Sequence, residues 1–242
     1  MITPPRLAER LERVLQLDRS AASRLASIVL ATGTRPHQEI GRELRFGGLA
    51  RRWNKTLDAD RARYLASVIS GRILRDNCRI LDVLSGTGSL ARALREAGHT
   101  VVEIERLEQY GRPRDEDTFD FALDKVHVAA EKYDAAIVVT VLHHEPHPDA
   151  LIGWLAELDV EQYVVVENVR CREADVATHR LFDTFFNECL NDFGAECPGW
   201  YWTRQQWRVS LQSLGSPSEP ETLHAVPGIP FPYDVFVITR DT

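Results

Sequence analysis

The sequence predicts an α/β fold: a mostly parallel sheet with helices on both faces, preceded by a helical cap. Three observations carry this. From Arg79 onward, short apolar segments alternate with helical stretches, the rhythm of βαβ units. The stretch Ala135 to Thr140 is an apolar run bounded by polar residues, as suits a strand buried on both faces. Residues 1–75 instead space their apolar residues at helical intervals.

The elements follow in order. Leu7, Leu11, Val14, Leu15, Leu25, Ile28 and Val29 give helical periodicity from Pro5 to about Leu30, with Asp18 or Ser20 as the cap of a second helix near Ala21. Thr32-Gly33-Thr34-Arg35-Pro36 ends it. A further helix spans Asp58 to Leu74. Ile80 to Val83 is the first strand, Ser89 to Ala97 its helix, closed by Gly98, and Thr100 to Glu105 the second strand. Phe119 to Leu123 holds a short third strand, and Ala135 to Thr140 the fourth. A helix over Ala150 to Leu158 leads to the fifth strand, Tyr163 to Glu167, and a long helix covers Ala174 to Asp192. Thr203 with Gln206 reads as a capping box, and Glu221 to Ala225 and Asp234 to Thr239 read as an antiparallel pair. The division is therefore 1–75 as cap and 76–242 as the α/β domain.

Composition limits the function. The 242 residues are 44% hydrophobic and 27% charged, and no apolar run reaches the roughly 20 residues of a membrane span. The N-terminus has no apolar signal region, so a cytoplasmic protein without a membrane partner is expected. Cys78, Cys171, Cys189 and Cys197 form no C-x-x-C pair, and no Cys/His spacing suits a metal, so no metal is expected. The net charge of −7 divides into +8 for residues 1–75 and −15 for the rest. Nucleic-acid binding favours a domain basic throughout, so a nucleic-acid substrate is disfavoured.

Asp82-Val83-Leu84-Ser85-Gly86-Thr87-Gly88 is a strand running into a glycine turn and a helix. Gly86 and Gly88 allow positive φ and close approach of a ligand, and Glu105, at the end of the second strand, can accept both hydroxyls of a ribose. Neither the third glycine of a dinucleotide fingerprint nor a P-loop is present.

The stretch Asp82 to Gly88 resembles motif I of the class I S-adenosylmethionine-dependent methyltransferases. Tyr133-Asp134-Ala135 through Val141-Leu142-His143-His144 to Pro148-Asp149-Ala150-Leu151 resembles their type 11 (UbiE-like) branch. The resemblance is specific over residues 78–170. It implies a Rossmann-like, seven-stranded, mostly parallel sheet and S-adenosylmethionine as cofactor, with S-adenosylhomocysteine as product. It also implies that the turn at Ser85, Gly86 and Gly88 passes the methionine part, with Asp82 and Leu84 in the same cofactor site, that Glu105 holds the ribose, Asp124 lies beside the adenine, and Thr140, Val141 and Leu142 floor the sulfonium. Leu84 stands where the family has its first glycine.

Methyl transfer is an in-line displacement, so positioning dominates, with a base needed for a hydroxyl or ammonium acceptor. His144, His143 and Glu145 are the candidates, and Arg51, Arg52, Asn187, Trp200 and Trp202 are candidate substrate contacts. In the family it resembles, an Asn/Asp-Pro-Pro-aromatic sequence after the fourth strand grips exocyclic or amide nitrogens, so its absence disfavours adenine-N6 and glutamine methylation. A small-molecule acceptor, in bacterial specialised metabolism and with oxygen favoured over nitrogen, is the expectation. The rival readings are a non-catalytic module of the same fold, for which Leu84 speaks, and an RNA methyltransferase using the basic cap.

Overall fold

The computed structural model describes residues 2–73, 75–171, 173–191 and 199–240. Leu74, Asp192 and Cys197 lie outside them. Five helices come first: α1 (Pro4–Leu15), α2 (Arg19–Leu30), α3 (His37–Phe46), α4 (Leu49–Lys55) and α5 (Ala62–Ser70). Asp18 caps α2 by accepting the Ala21 N–H at 2.9 Å. Between α4 and α5 the chain stays helical but widens to π geometry over Thr56–Arg61, a device common at functional sites.

The α/β part runs β1 (Arg79–Val83), α6 (Ser89–Glu96), β2 (Thr100–Glu105), α7 (Leu107–Tyr110), β3 (Thr118–Asp120), α8 (Phe121–Ala129), β4 (Lys132–Val139), α9 (Pro148–Glu157) and β5 (Asp159–Asn168). It closes with α10 (Glu173–Thr184), continued by a π-helical turn over Phe185–Leu190, then α11 (Arg204–Leu211), β6 (Ser216–Pro217), β7 (Glu221–Leu223) and β8 (Tyr233–Thr239). The order is β3-β2-β1-β4-β5-β8; β1 to β5 are parallel and β8 is antiparallel to β5. Both β6 and β7 pair with β8, so the seventh strand position is filled by two short pieces. The sheet is thus Rossmann-like, with seven positions.

Period-two alternation sends neighbouring strand residues to opposite faces. Ile80, Val101, Ile137 and Val164 pack under α1 to α6 and α10, whereas Leu81, Val102, Ala136 and Val165 pack against α8, α9 and α11. The N-terminal helices share one core with the first face: Leu7, Leu25, Ile40, Trp53 and Leu65 are fully buried in it.

Two expectations need correction. Phe121 to Leu123 are not strand: Asp120 accepts the Ala122 and Leu123 N–H groups and starts α8 there, leaving β3 three residues. Thr140 is not in β4 but in the turn after it. The expected capping box at Thr203 and Gln206 is present. No helix among the described residues is long and apolar enough to cross a membrane.

Candidate active site

Strand order reverses between β1 and β4, where open α/β sheets leave a crevice at the strands' carboxyl ends. A cavity of about 840 Å³ opens there. Its walls are the β1–α6 turn, the turn after β4, the π-helical segment of the N-terminal region, and Asp183 and Asn187 with the end of β5.

Each central strand is followed by a left-handed residue. Leu84 has φ 54° and Thr140 φ 55°, values a leucine rarely and a β-branched residue hardly ever adopts. Each is held by the next strand: the Leu84 N–H donates to the Ile104 carbonyl and the Thr140 N–H to the Val166 carbonyl, both at 2.7 Å. Leu84 therefore takes a backbone conformation that suits glycine, and its nearly buried side chain joins the core beside Val83 and Ile104. Such strain costs about 1–3 kcal/mol and collects at functional sites.

The turn is framed by charge. Glu103, buried in β2, pairs with Arg95 at 2.9 Å and Arg112 at 2.7 Å. Arg112 also donates to Ser85 Oγ at 2.8 Å and to the Gly86 carbonyl at 3.0 Å. Gly88 takes a left-handed backbone, φ 73°, and a Cβ there would lie 2.8 Å from the Glu103 carboxylate and 2.9 Å from the Arg112 guanidinium, which would have to shift. Glu105 accepts the Gly86 N–H and, at 2.6 Å, the Arg106 N–H. Burial raises the Glu105 pKa above its usual value against the lowering effect of those amides. Asp82 is fully buried, and burial, then Glu103 and Glu105 nearby, holds its carboxyl well above the usual range.

After β4, Glu167 accepts the Val141 and Leu142 N–H groups at 2.9 and 2.7 Å and meets His143 Nδ1 at 2.7 Å. His143 Nε2 lies 3.8 Å from Asp183, which also accepts the Tyr201 hydroxyl. Burial opposes the charge on His143, but Glu167 and Asp183 outweigh it, and its pKa is raised. Burial likewise raises Asp183, against the pull of His143 and Tyr201. His144 lines the cavity, its ring 4.0 Å from that of His143.

The fold brings Asp82, Leu84, Ser85, Gly86, Glu105, Thr140, Val141, His143, His144, Glu145 and Asn187 to the cavity wall. Gly88 and Leu142 stand behind it, shaping the turns. Asp124 does not reach it, because its carboxylate holds the Asp120 N–H at 2.8 Å and Arg114. Both oxygens of Glu145 accept from Arg106 at 2.8 Å, a two-pronged ion pair at the cavity wall. Arg52 caps α1 through the Leu15 and Gln16 carbonyls, and Arg51 is exposed. Trp202 packs on Trp207 at 4.5 Å and Trp200 on Trp202 at 6.2 Å, away from the cavity.

The sequence reading missed Arg61. It donates to Thr140 Oγ1 at 2.9 Å and lies 5.7 Å above the Tyr233 ring. Four buried polar atoms of wall residues have no hydrogen-bond partner: Asn54 Oδ1, Arg61 Nε, Asp82 Oδ2 and Asn168 Oδ1. Buried polar atoms are normally paired, so such a cluster is what a ligand would complete.

Residues 44–215 match the family described as a methyltransferase domain. The chain belongs to that family. Its fold is that of the class I S-adenosylmethionine-dependent methyltransferases, and it is a methyltransferase. Among solved structures, the pyocyanin biosynthetic protein PhzM is 17% identical with a TM-score of 0.58, over 96% of this chain and 72% of PhzM. A chain in the complex of the Haloferax volcanii Trm112 methyltransferase activator with a methyltransferase is 14% identical, TM-score 0.56, over 81% of this chain and 96% of that one. Magnesium protoporphyrin IX methyltransferase (ChlM) from Synechocystis PCC 6803, with SAH bound, is 15% identical, TM-score 0.50, over 74% and 81%. No curated protein matches by sequence.

Proposed function

We propose that the methyltransferase uses S-adenosylmethionine to methylate a small-molecule acceptor, oxygen favoured over nitrogen. The four unpartnered polar atoms carry this reading. Arg61 offers a donor to a carboxylate and Asp82 an acceptor to an ammonium group, the two charges of an amino-acid end. Glu105 is placed to hold the ribose hydroxyls once its bond to the Gly86 N–H is exchanged, and Gly86 leaves open space beside it. The cofactor supplies an electrophilic methyl group; the chain supplies alignment and exclusion of water.

Asn168 Oδ1 lacks a donor, and a hydroxyl-bearing acceptor would provide one. His144 is the side chain we assign to hold that hydroxyl. The cavity volume falls within the usual range for small-molecule sites. Residues 1–75 act as a lid, for which Asn54, Leu57, Asp58 and Arg61 in the cavity wall are the support. Titration calorimetry with S-adenosylmethionine and S-adenosylhomocysteine tests the proposal. Binding of both at micromolar Kd is expected, and binding of neither overturns it.

A further inference from the structure

We propose that His143, His144 and Asp183 form a binding site for a transition-metal dication at the acceptor end of the cavity. One ligand atom from each lies within 4.8 Å of the others, and all three residues line the cavity. The histidines come from the turn after β4 and the aspartate from α10, so no local spacing in the sequence shows the set. An ion bound at about 2.0–2.1 Å needs its ligand atoms roughly 3.0–3.4 Å apart. His143 Nε2 and Asp183 Oδ2, now 3.8 Å apart, need close by only about 0.5 Å to satisfy that separation.

The surroundings support the same assignment. His143 Nδ1 is already bound to Glu167 at 2.7 Å, which leaves Nε2 to face Asp183. A carboxylate on the far nitrogen is the usual support of a metal-bound imidazole. Glu167 is itself fixed by the Val141 and Leu142 N–H groups, so the ring is held before any ion arrives. Two imidazoles and one carboxylate suit zinc, cobalt, manganese or iron rather than magnesium or calcium. Three ligands leave coordination positions toward the cavity, which select an acceptor with an oxygen donor. The inference deepens the acceptor side of the proposed function; the cofactor side does not depend on it.

The experiment is a cobalt titration of the tag-free, chelator-stripped full chain, read by the visible absorption of coordinated Co²⁺ and by calorimetric stoichiometry. One ion per chain is expected. His144→Gln and Asp183→Asn should each weaken binding at least tenfold, and Glu167→Gln about 10–100-fold, as for other residues supporting a metal ligand. Circular dichroism melts establish that each variant is folded. No absorption band with wild-type protein, or affinity unchanged in folded His144→Gln and Asp183→Asn, overturns the proposal. Titration with S-adenosylhomocysteine on the same samples separates the two readings: cobalt without cofactor binding sinks the methyl-transfer reading alone, and cofactor without cobalt binding sinks the metal site alone.

Discussion

The guanidinium of Arg61 donates to Thr140 Oγ1 at 2.9 Å, tying the π-helical turn before α5 to the strained residue that follows β4. One N–H of the same group, Nε, is buried without a partner. A hydrogen bond to a charged group contributes about 1.5–3 kcal/mol. Arg61→Ala should therefore weaken S-adenosylhomocysteine binding roughly 10–100-fold, and Arg61→Lys, with no Nε–H, should not restore it. Calorimetry checks this, and an unchanged Kd removes Arg61 from the cofactor's carboxylate.

Leu84 sets strain against burial. Leu84→Ala loses the core contacts, about 2–5 kcal/mol, and keeps a β-carbon in the left-handed region. Leu84→Gly loses the same contacts but sheds that strain, about 1 kcal/mol. Glycine should thus be the more stable of the two, the reverse of their order in a helix. Urea unfolding of both variants decides it, and equal midpoints would count against strain at this position.

Asp82 predicts a pH effect. Its carboxyl is raised in the folded chain, so the folded state keeps a proton that the unfolded state releases above its ordinary value of 3.8. Stability consequently falls as pH rises from that value through the folded one. Asp82→Asn should flatten this part of the melting curve against pH and raise Tm at about pH 8, while weakening cofactor binding. An ammonium beside Asp82 opposes the penalty, so the cofactor's effect on Tm should grow with pH in the wild type only.

Gly86 and Gly88 should respond differently to alanine. A Cβ at Gly86 meets nothing within 4 Å and projects where the ligand would pass, so Gly86→Ala should fold, at a cost of about 1 kcal/mol, and bind cofactor poorly. A Cβ at Gly88 pushes on the Glu103–Arg112 pair, so Gly88→Ala should lose more stability than Gly86→Ala. Thermal melts alongside cofactor titration separate fold from binding.

The parallel core was legible because β1, β2, β4 and β5 are buried strands whose apolar runs leave little choice of element. The third strand was not, since Asp120 serves both as its last residue and as the cap of α8. The glycine turn after β1 was readable from local spacing. Arg61 was hidden among 15 basic residues of the first 75, and it lies in a π-helical turn, which has no sequence signature. Asp183 meets His143 across 40 positions of chain, beyond the reach of any spacing rule. The aromatic residues Trp200 and Trp202 lie outside the cavity wall: Trp202 packs on Trp207, and Trp200 packs on Trp202.

The divided strand position beside β8 has a consequence for the molecule in crowded solution. An uninterrupted outer strand presents a row of free amides on which another chain can polymerise. Here that border consists of two and three residues, with Pro217 and Pro220 withholding donors at and just beyond the first piece, and the opposite border is the three-residue β3. Neither side offers a template long enough for sheet-to-sheet aggregation, so the chain carries its own protection against fibril growth.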